Sequence, residues 1–210
     1  MRFISRVIAS LLLIMFAGCL FKNDSIIVSD FGNVWQGENV IEAEVISKEQ
    51  AIEETRARVQ DEKLKIVKVA LEQVGNIGGE KFWSWYGLRE RVPWCCIFIS
   101  WCADQCGYLE DGIIPRFAAV SQGYRFYTSR DQYLGPDEIP EPGMIVFFNY
   151  PYVDEGGNYI SPNHVGIVKC VKDGRVYCIE GNYKDGCFET NYEIGHRLIY
   201  GYGAPAYDQK

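Results

Sequence analysis

Cys95 and Cys96 stand side by side in VPWCCIFISWCADQCG, and the chain holds only two histidines, His164 and His196. A thiol, an imidazole within hydrogen-bond reach and a third group that orients the imidazole are the parts of a nucleophilic acyl-transfer site. The thiolate forms best at a helix N-terminus, where unpaired backbone N–H groups and the helix dipole favour negative charge. Pro93 is a natural helix starter, which puts Cys95 in the first turn and leaves Cys102 and Cys106 in later ones.

The local sequence does not choose between the histidines. His164 follows SPN and opens HVGIV, and His196 follows IG and opens HRLIYGYG. What separates them is the segment after His164, which folds back through KDG into RVYCIEGN and brings Glu180 and Asn182 into range. Register tests this. A two-residue turn at Asp173-Gly174 would pair Lys172 with Arg175 and place Glu180 and Asn182 on the face opposite His164. A three-residue loop over Lys172 to Gly174, with a left-handed glycine, would set His164 opposite Asn182 with Glu180 as its diagonal neighbour. A catalytic His164 therefore predicts the three-residue loop. Either Glu180 or Asn182 could hold the imidazole, the other touching substrate or the oxyanion. The same register leaves Cys170 and Cys178 diagonal, too far apart for a comfortable disulfide.

The elements that must position these residues follow from the hydrophobic pattern. Leu20 to Ile46 shows no sustained period and reads as a spacer. Ser47 with Gln50 has the form of a capping box, so a helix is expected from about Lys48. It is polar at first, then carries a stripe of Leu64, Val67, Ala70, Leu71 and Val74. The packed domain is expected from Asp61 to the end, after a spacer and polar helix over residues 20–60. Trp94 to Gly107 is apolar almost throughout and reads as a central buried helix stopped by Gly107. MIVFFNY, HVGIVKCV, RVYCIEG and HRLIYGYG are rich in Val, Ile, Tyr and Phe between proline, glycine and aspartate, the pattern of antiparallel strands. Helices followed by strands indicate an α+β fold.

Bulk properties narrow the chemistry. A chain of 210 residues, 48% apolar, can bury a proper core, and its net charge of -7 argues against phosphate-backbone binding and hence against nucleic acid. No glycine-rich loop follows a strand, no cysteine–histidine spacing suits structural zinc, and no cofactor is implied. The loop DEGGNYISPN is not acidic enough to assign calcium, so no metal is expected. Residues 1–19, MRFISRVIASLLLIMFAGC, have two arginines, an apolar run too short to span a bilayer comfortably, and small residues before Cys19, the layout of an export signal. Ala17-Gly18-Cys19 resembles a lipobox, with Phe16 where leucine is usual. The product is a lipoprotein held to the membrane through Cys19, a secreted protein, or a protein with an uncleaved anchor. Of the 8 cysteines, those other than Cys95 and Cys19 are expected to be mostly reduced and buried.

PWCCIFISWCADQCGY resembles the nucleophile helix of CHAP domains (cysteine, histidine-dependent amidohydrolases/peptidases), and NHVGIVKCVKDGRVYCIEGN resembles their histidine hairpin. KFWSWYG and IYGYGAPAY resemble flanking segments of bacterial members, so the likeness covers roughly Leu64 to Tyr207. It implies a papain-like α+β fold and hydrolysis of amide bonds in peptidoglycan. By position it gives Cys95 the nucleophile's place, His164 the general base's, and Glu180 and Asn182 the polar partners'. Cys96 falls where the family usually has a small residue, so it reads as packing. Trp83, Tyr86 and Trp94 are the aromatic candidates for a substrate groove. An N-acetylmuramoyl-L-alanine amidase and a stem-peptide or cross-bridge endopeptidase both fit, and a non-hydrolytic envelope-binding module that keeps the fold is the alternative.

Overall fold

The computed structural model describes residues 28–151 and 161–209. Two compact units divide between Ala51 and Ile52, and the second, Ile52–Lys210, contains the candidate site. The expected export signal, with Cys19, and most of the loop before His164 lie outside the described residues. Among the described residues no helix is long and apolar enough to cross a membrane.

The first helix, α1 (Val28–Leu71), begins well before the expected start, and the supposed cap Ser47 lies inside it. The region read as spacer is therefore helical from Val28. It holds no proline, and its two glycines, Gly32 and Gly37, cost only about 1 kcal/mol each in a helix interior. The packed stripe also differs from the expected one: Ile66, Val67 and Ala70 are buried, whereas Leu64 and Val74 are exposed. Tyr108 anchors this end by donating its hydroxyl to the Glu62 carbonyl at 2.6 Å.

A short helix, α2 (Glu80–Tyr86), carries the aromatic cluster. Its Phe82 stacks on Trp94, ring centroids 5.1 Å apart. Gly79, at φ 65°, lies under the same indole, and a Cβ there would come within 2.4 Å of the ring. Next is α3 (Cys95–Gln105), buried on all sides from Cys95 to Ala103. Gly107 at φ 79° ends it in a Schellman motif: Gly107 N–H donates to Asp104 O and Tyr108 N–H to Ala103 O. Ser100 pins the helix laterally, donating to Phe117 O and accepting from Phe117 N–H, both at 2.9 Å. A fourth helix, α4 (Val120–Thr128), precedes the sheet.

The strands are β1 (Tyr133–Leu134), β2 (Ile145–Phe148), β3 (His164–Lys172), β4 (Arg175–Tyr183), β5 (Gly186–Glu193) and β6 (Ile199–Gly203). They form one antiparallel sheet in the order β1-β6-β2-β3-β4-β5, which with the helices makes the α+β fold. The four expected strands are present, although the last begins at Ile199 and leaves His196 outside it. β5 is an addition. Ile145, Phe147, Val165, Ile167 and Ile179 pack with the helices in the main core. Val146, Phe148, Val168, Val176 and Cys178 form a second core on the other face.

The β3–β4 hairpin corrects the expected loop. Lys172 pairs with Arg175, so the turn is the two-residue Asp173-Gly174, at φ 51° and 70°. Both residues are left-handed, as a type I′ turn requires. The register nevertheless changes within β3: Cys170 pairs with Tyr177 but Val168 with Cys178, leaving Lys169 as the extra residue of a bulge. A bulge adds one residue to one strand, and one residue exchanges the faces of everything beyond it. The shift assigned to the loop is made instead at Lys169 within β3, and His164 and Glu180 reach one face. The seven described cysteines, Cys170 and Cys178 among them, are free thiols.

Deleting Lys169 should remove the bulge and set the core residues of β3 against the wrong face. A large fall in thermal unfolding temperature is expected. Lys169→Ala, which keeps the backbone and removes only the partly exposed Glu189 contact, should cost under about 1 kcal/mol. Similar small losses in both variants would show that the bulge does not set the register.

Candidate active site

Cys95 is the first residue of α3, with Trp94 as N-cap and the Trp94 carbonyl accepting from Phe98 N–H at 2.8 Å. The backbone N–H groups of this first turn have no partner within the helix and point toward the space beyond it. The Cys95 thiol is held well below its ordinary pKa. The neighbouring Cys96 thiol contributes most, burial opposes, and the charge and hydrogen bond of His164 and the Cys96 N–H add to the lowering. The two sulfurs are 4.0 Å apart, the outer limit for a thiol hydrogen bond, so the full charge of an imidazolium is the more durable partner. Cys96 is itself pushed up, by Cys95 and by burial, and stays the S–H donor of the pair. The pair is not built to close: neighbouring Cα atoms lie about 3.8 Å apart, short of the 4.4–6.8 Å that disulfides usually span.

His164 opens β3 and is buried. Its Nε2 lies 3.0 Å from Oε2 of Glu180, a charge contact whose angle falls short of a well-directed hydrogen bond. Burial alone would lower the imidazole's pKa; the Cys95 charge and hydrogen bond, and then those of Glu180, raise it to about 9. Tyr150 presents its edge to the imidazole, centroids 5.3 Å apart, and Phe148 lies tilted against it at 5.8 Å. Asn163 holds Tyr150 in place through two bonds, accepting from its N–H at 3.0 Å and donating to its carbonyl at 2.7 Å.

The open choice between Glu180 and Asn182 is resolved as to position. Glu180, with no exposed surface, meets the imidazole. Asn182, at φ 61° in the β4 bulge, hydrogen-bonds none of Cys95, His164 and Glu180 among the described residues. It borders a cleft of about 400 Å³ with Arg91, Val92 and Pro93, beside the start of α3. Gly181 between them permits this: its Cα lies against Phe98, and a Cβ would come within 2.6 Å of that side chain.

Of the three aromatic residues expected at a groove, Trp94 departs from expectation. It is 0% exposed, sandwiched by Phe82 and Phe98, and so belongs to the core. Trp83 is half-buried, its indole N–H donated to Gly78 O at 3.1 Å. Tyr86 is half-buried under the Arg116 guanidinium, 4.5 Å from its ring. His196 packs its ring on Tyr192. Three residues absent from the sequence reading reach Glu180: Tyr150, Thr190 and Tyr192. The last two lie on β5, whose signal was present as the alternation of Phe188, Thr190 and Tyr192 with Glu189, Asn191 and Glu193.

Two substitutions separate the roles of the paired sulfurs. Cys96→Ala should leave Cys95 open to alkylation by iodoacetamide but move the rise of the rate with pH upward, with activity retained within about tenfold. Cys95→Ala should remove the fast-reacting thiol altogether. An unchanged alkylation profile in Cys96→Ala would return Cys96 to a packing role.

The family model of the CHAP domain matches residues 87–182. No curated protein matches the chain. Among solved structures the chain is similar to "The crystal structure of Ly7917", with 18% identity and a TM-score of 0.43 over 68% of this chain and 62% of that one. It is also similar to "The crystal structure of Ly7917 with the hydrolyzing product of MDP", with 19% identity and a TM-score of 0.40 over 70% of this chain and 62% of that one. The chain thus spans less than two thirds of either. The matched segment, less than half of the chain, takes in α3 with Cys95 and the hairpin that carries His164, Glu180 and Asn182, and over these residues the chain is similar to a CHAP domain.

Proposed function

We propose that this protein is a peptidoglycan hydrolase that cleaves an amide bond through a Cys95 acyl-enzyme. The observation that carries the reading is a thiol in the first turn of a buried helix, its pKa lowered by Cys96 and by His164, with that imidazole backed by a buried carboxylate. The CHAP match over the same residues supports the substrate class.

The Cys95 thiolate attacks the amide carbonyl, and the oxygen that becomes negative is met by backbone N–H of the α3 first turn. A donor of this kind is worth about 2.7 to 4 kcal/mol in acyl transfer. The His164 imidazolium gives its proton to the departing amine as the C–N bond breaks, leaving a thioester. Water then attacks the thioester, neutral His164 takes its proton, and the thiolate leaves with the carboxylic acid released. Glu180 holds the ring at the correct angle and tautomer throughout. Asn182, with Arg91, Val92 and Pro93, flanks the substrate where it enters, and the half-buried Trp83 and Tyr86 extend that surface.

The protein acts outside the cytoplasm, attached to the membrane through lipidated Cys19 or released from it; the N-terminal mass of the mature chain distinguishes these. The amide is either the N-acetylmuramoyl-L-alanine bond or one within the stem or cross-bridge.

Mass spectrometry of fragments released from purified peptidoglycan tests the reading. Free lactyl groups with intact stem peptides identify an amidase, and new peptide termini an endopeptidase. Cys95→Ala should abolish release; clearing at the wild-type rate would rule out the thiol mechanism. Against pH, kcat/KM should be bell-shaped. His164 is raised, so the imidazolium survives until pH passes about 9 and the alkaline limb falls there. Cys95 is lowered, so the thiolate persists below the usual thiol range and the acid limb lies at that depressed value. Activity still rising above pH 10 would contradict the ion pair.

A further inference from the structure

Glu180 has no exposed surface, and its two oxygens have different surroundings. Oε1 accepts from the Thr190 hydroxyl and, at 2.8 Å, from the Tyr192 hydroxyl. Oε2 lies 3.0 Å from His164 Nε2 and 3.1 Å from the Tyr150 hydroxyl. The two phenol oxygens are 2.7 Å apart. Protons decide how this ring of contacts is made. Each phenol has one hydrogen, and a 2.7 Å contact between hydroxyl oxygens needs one of them. Thr190 and Tyr192 both fit as donors to Oε1. Tyr150 then serves best by donating to the Tyr192 oxygen, which strengthens the donation of Tyr192 to the carboxylate. Oε2 is left for the imidazole. Burial and the Glu180 charge push both phenols up, so both remain O–H donors across the working range.

We propose that Thr190 and Tyr192, with Tyr150 behind Tyr192, are positioning residues that clamp Oε1 of Glu180 and so keep Oε2 directed at His164. The proposal rests on the Cys95–His164 reading of the site. The clamp comes from β5, outside the segment that matches the CHAP domain. Register brings it in: Phe188 pairs with Glu180 and Thr190 with Cys178, so Thr190 is diagonal to Glu180 on its face, and Tyr192 reaches from one pair further.

A clamp and a simple electrostatic influence predict opposite signs. Without its donors the carboxylate turns from Nε2, His164 loses support, and the alkaline limb moves to lower pH. If the hydroxyls merely withdrew charge, removing them would make the carboxylate a stronger partner and move the limb up.

The experiment measures kcat, KM and the pH profile of Tyr192→Phe, Thr190→Val and the double variant on purified peptidoglycan. Cys95 alkylation by iodoacetamide against pH provides a readout that needs no turnover. Tyr192→Phe should lower kcat by about ten- to hundredfold, the scale of one hydrogen bond to a charged group, with KM within about twofold. It should move the alkaline limb and the alkylation profile downward. Thr190→Ser, which keeps the hydroxyl, should recover wild-type behaviour where Thr190→Val does not. An unchanged or raised alkaline transition in soluble variants of native circular dichroism would overturn the proposal, as would equal losses in Thr190→Ser and Thr190→Val. If the wild type releases nothing from peptidoglycan, the functional reading fails, and the alkylation profile still decides the clamp.

Discussion

A carboxylate with no access to water sets the terms for this site. An ionised carboxyl group removed from solvent costs several kcal/mol unless its lone pairs are met by donors and its charge by a partner. Glu180 meets both conditions at once, with His164 and the Tyr150 hydroxyl beside one oxygen and the Thr190 and Tyr192 hydroxyls of β5 on the other. None of these partners is near it in sequence except through strand pairing. The central strands must therefore lie in the order β2, β3, β4, β5, and each pair must hold its register. A one-residue slip would leave the charge uncompensated rather than merely weakening a contact.

The other half of the site depends on a different constraint. α3 is apolar on every side and can only be the middle of the core, so its first turn is fixed by packing that has no catalytic purpose. Phe82 on Trp94 and Phe98 on Gly181 bring the helix and β4 together closely enough for the Cys95 sulfur to meet an imidazole from the sheet. The burial that makes this scaffold rigid also opposes a free thiolate, and the Cys96 thiol first, then the charge and hydrogen bond of His164, outweigh it. Scaffold and chemistry are coupled through the same few aromatic contacts.

The bulge at Lys169 shows why part of this was legible and part was not. A catalytic His164 requires a partner, Glu180 or Asn182, on its own face, and a three-residue turn would supply that register. The requirement matches the structure and the means does not: Asp173-Gly174 makes the tight turn its residue types favour, and the extra residue sits within β3. Nothing about Lys169 marks it as a bulge, because a bulge is settled by what lies on both faces of the strand. The stripe on α1 failed in a related way. Leu64 and Val74 have the right chemistry but sit on the flanks of the contact that Ile66, Val67 and Ala70 make. Helical spacing gives a direction only to within a neighbouring residue.

The first-turn place of Cys95 and the α+β order of elements could be read from residue type and spacing, since a helix start after proline and a two-residue strand period are local properties, whereas His164 is separated from His196 only by the partners its hairpin brings. Glu180 and Asn182 could be named together, but which one meets the imidazole depended on the left-handed backbone of Asn182 turning it toward the cleft. Trp94 looked like a groove residue and proved to be core, because exposure belongs to the assembled layers and not to the side chain. Thr190, Tyr192 and Tyr150 converge on one carboxylate from positions 190, 192 and 150. Their convergence is a product of long-range strand pairing, whose partners no local pattern specifies.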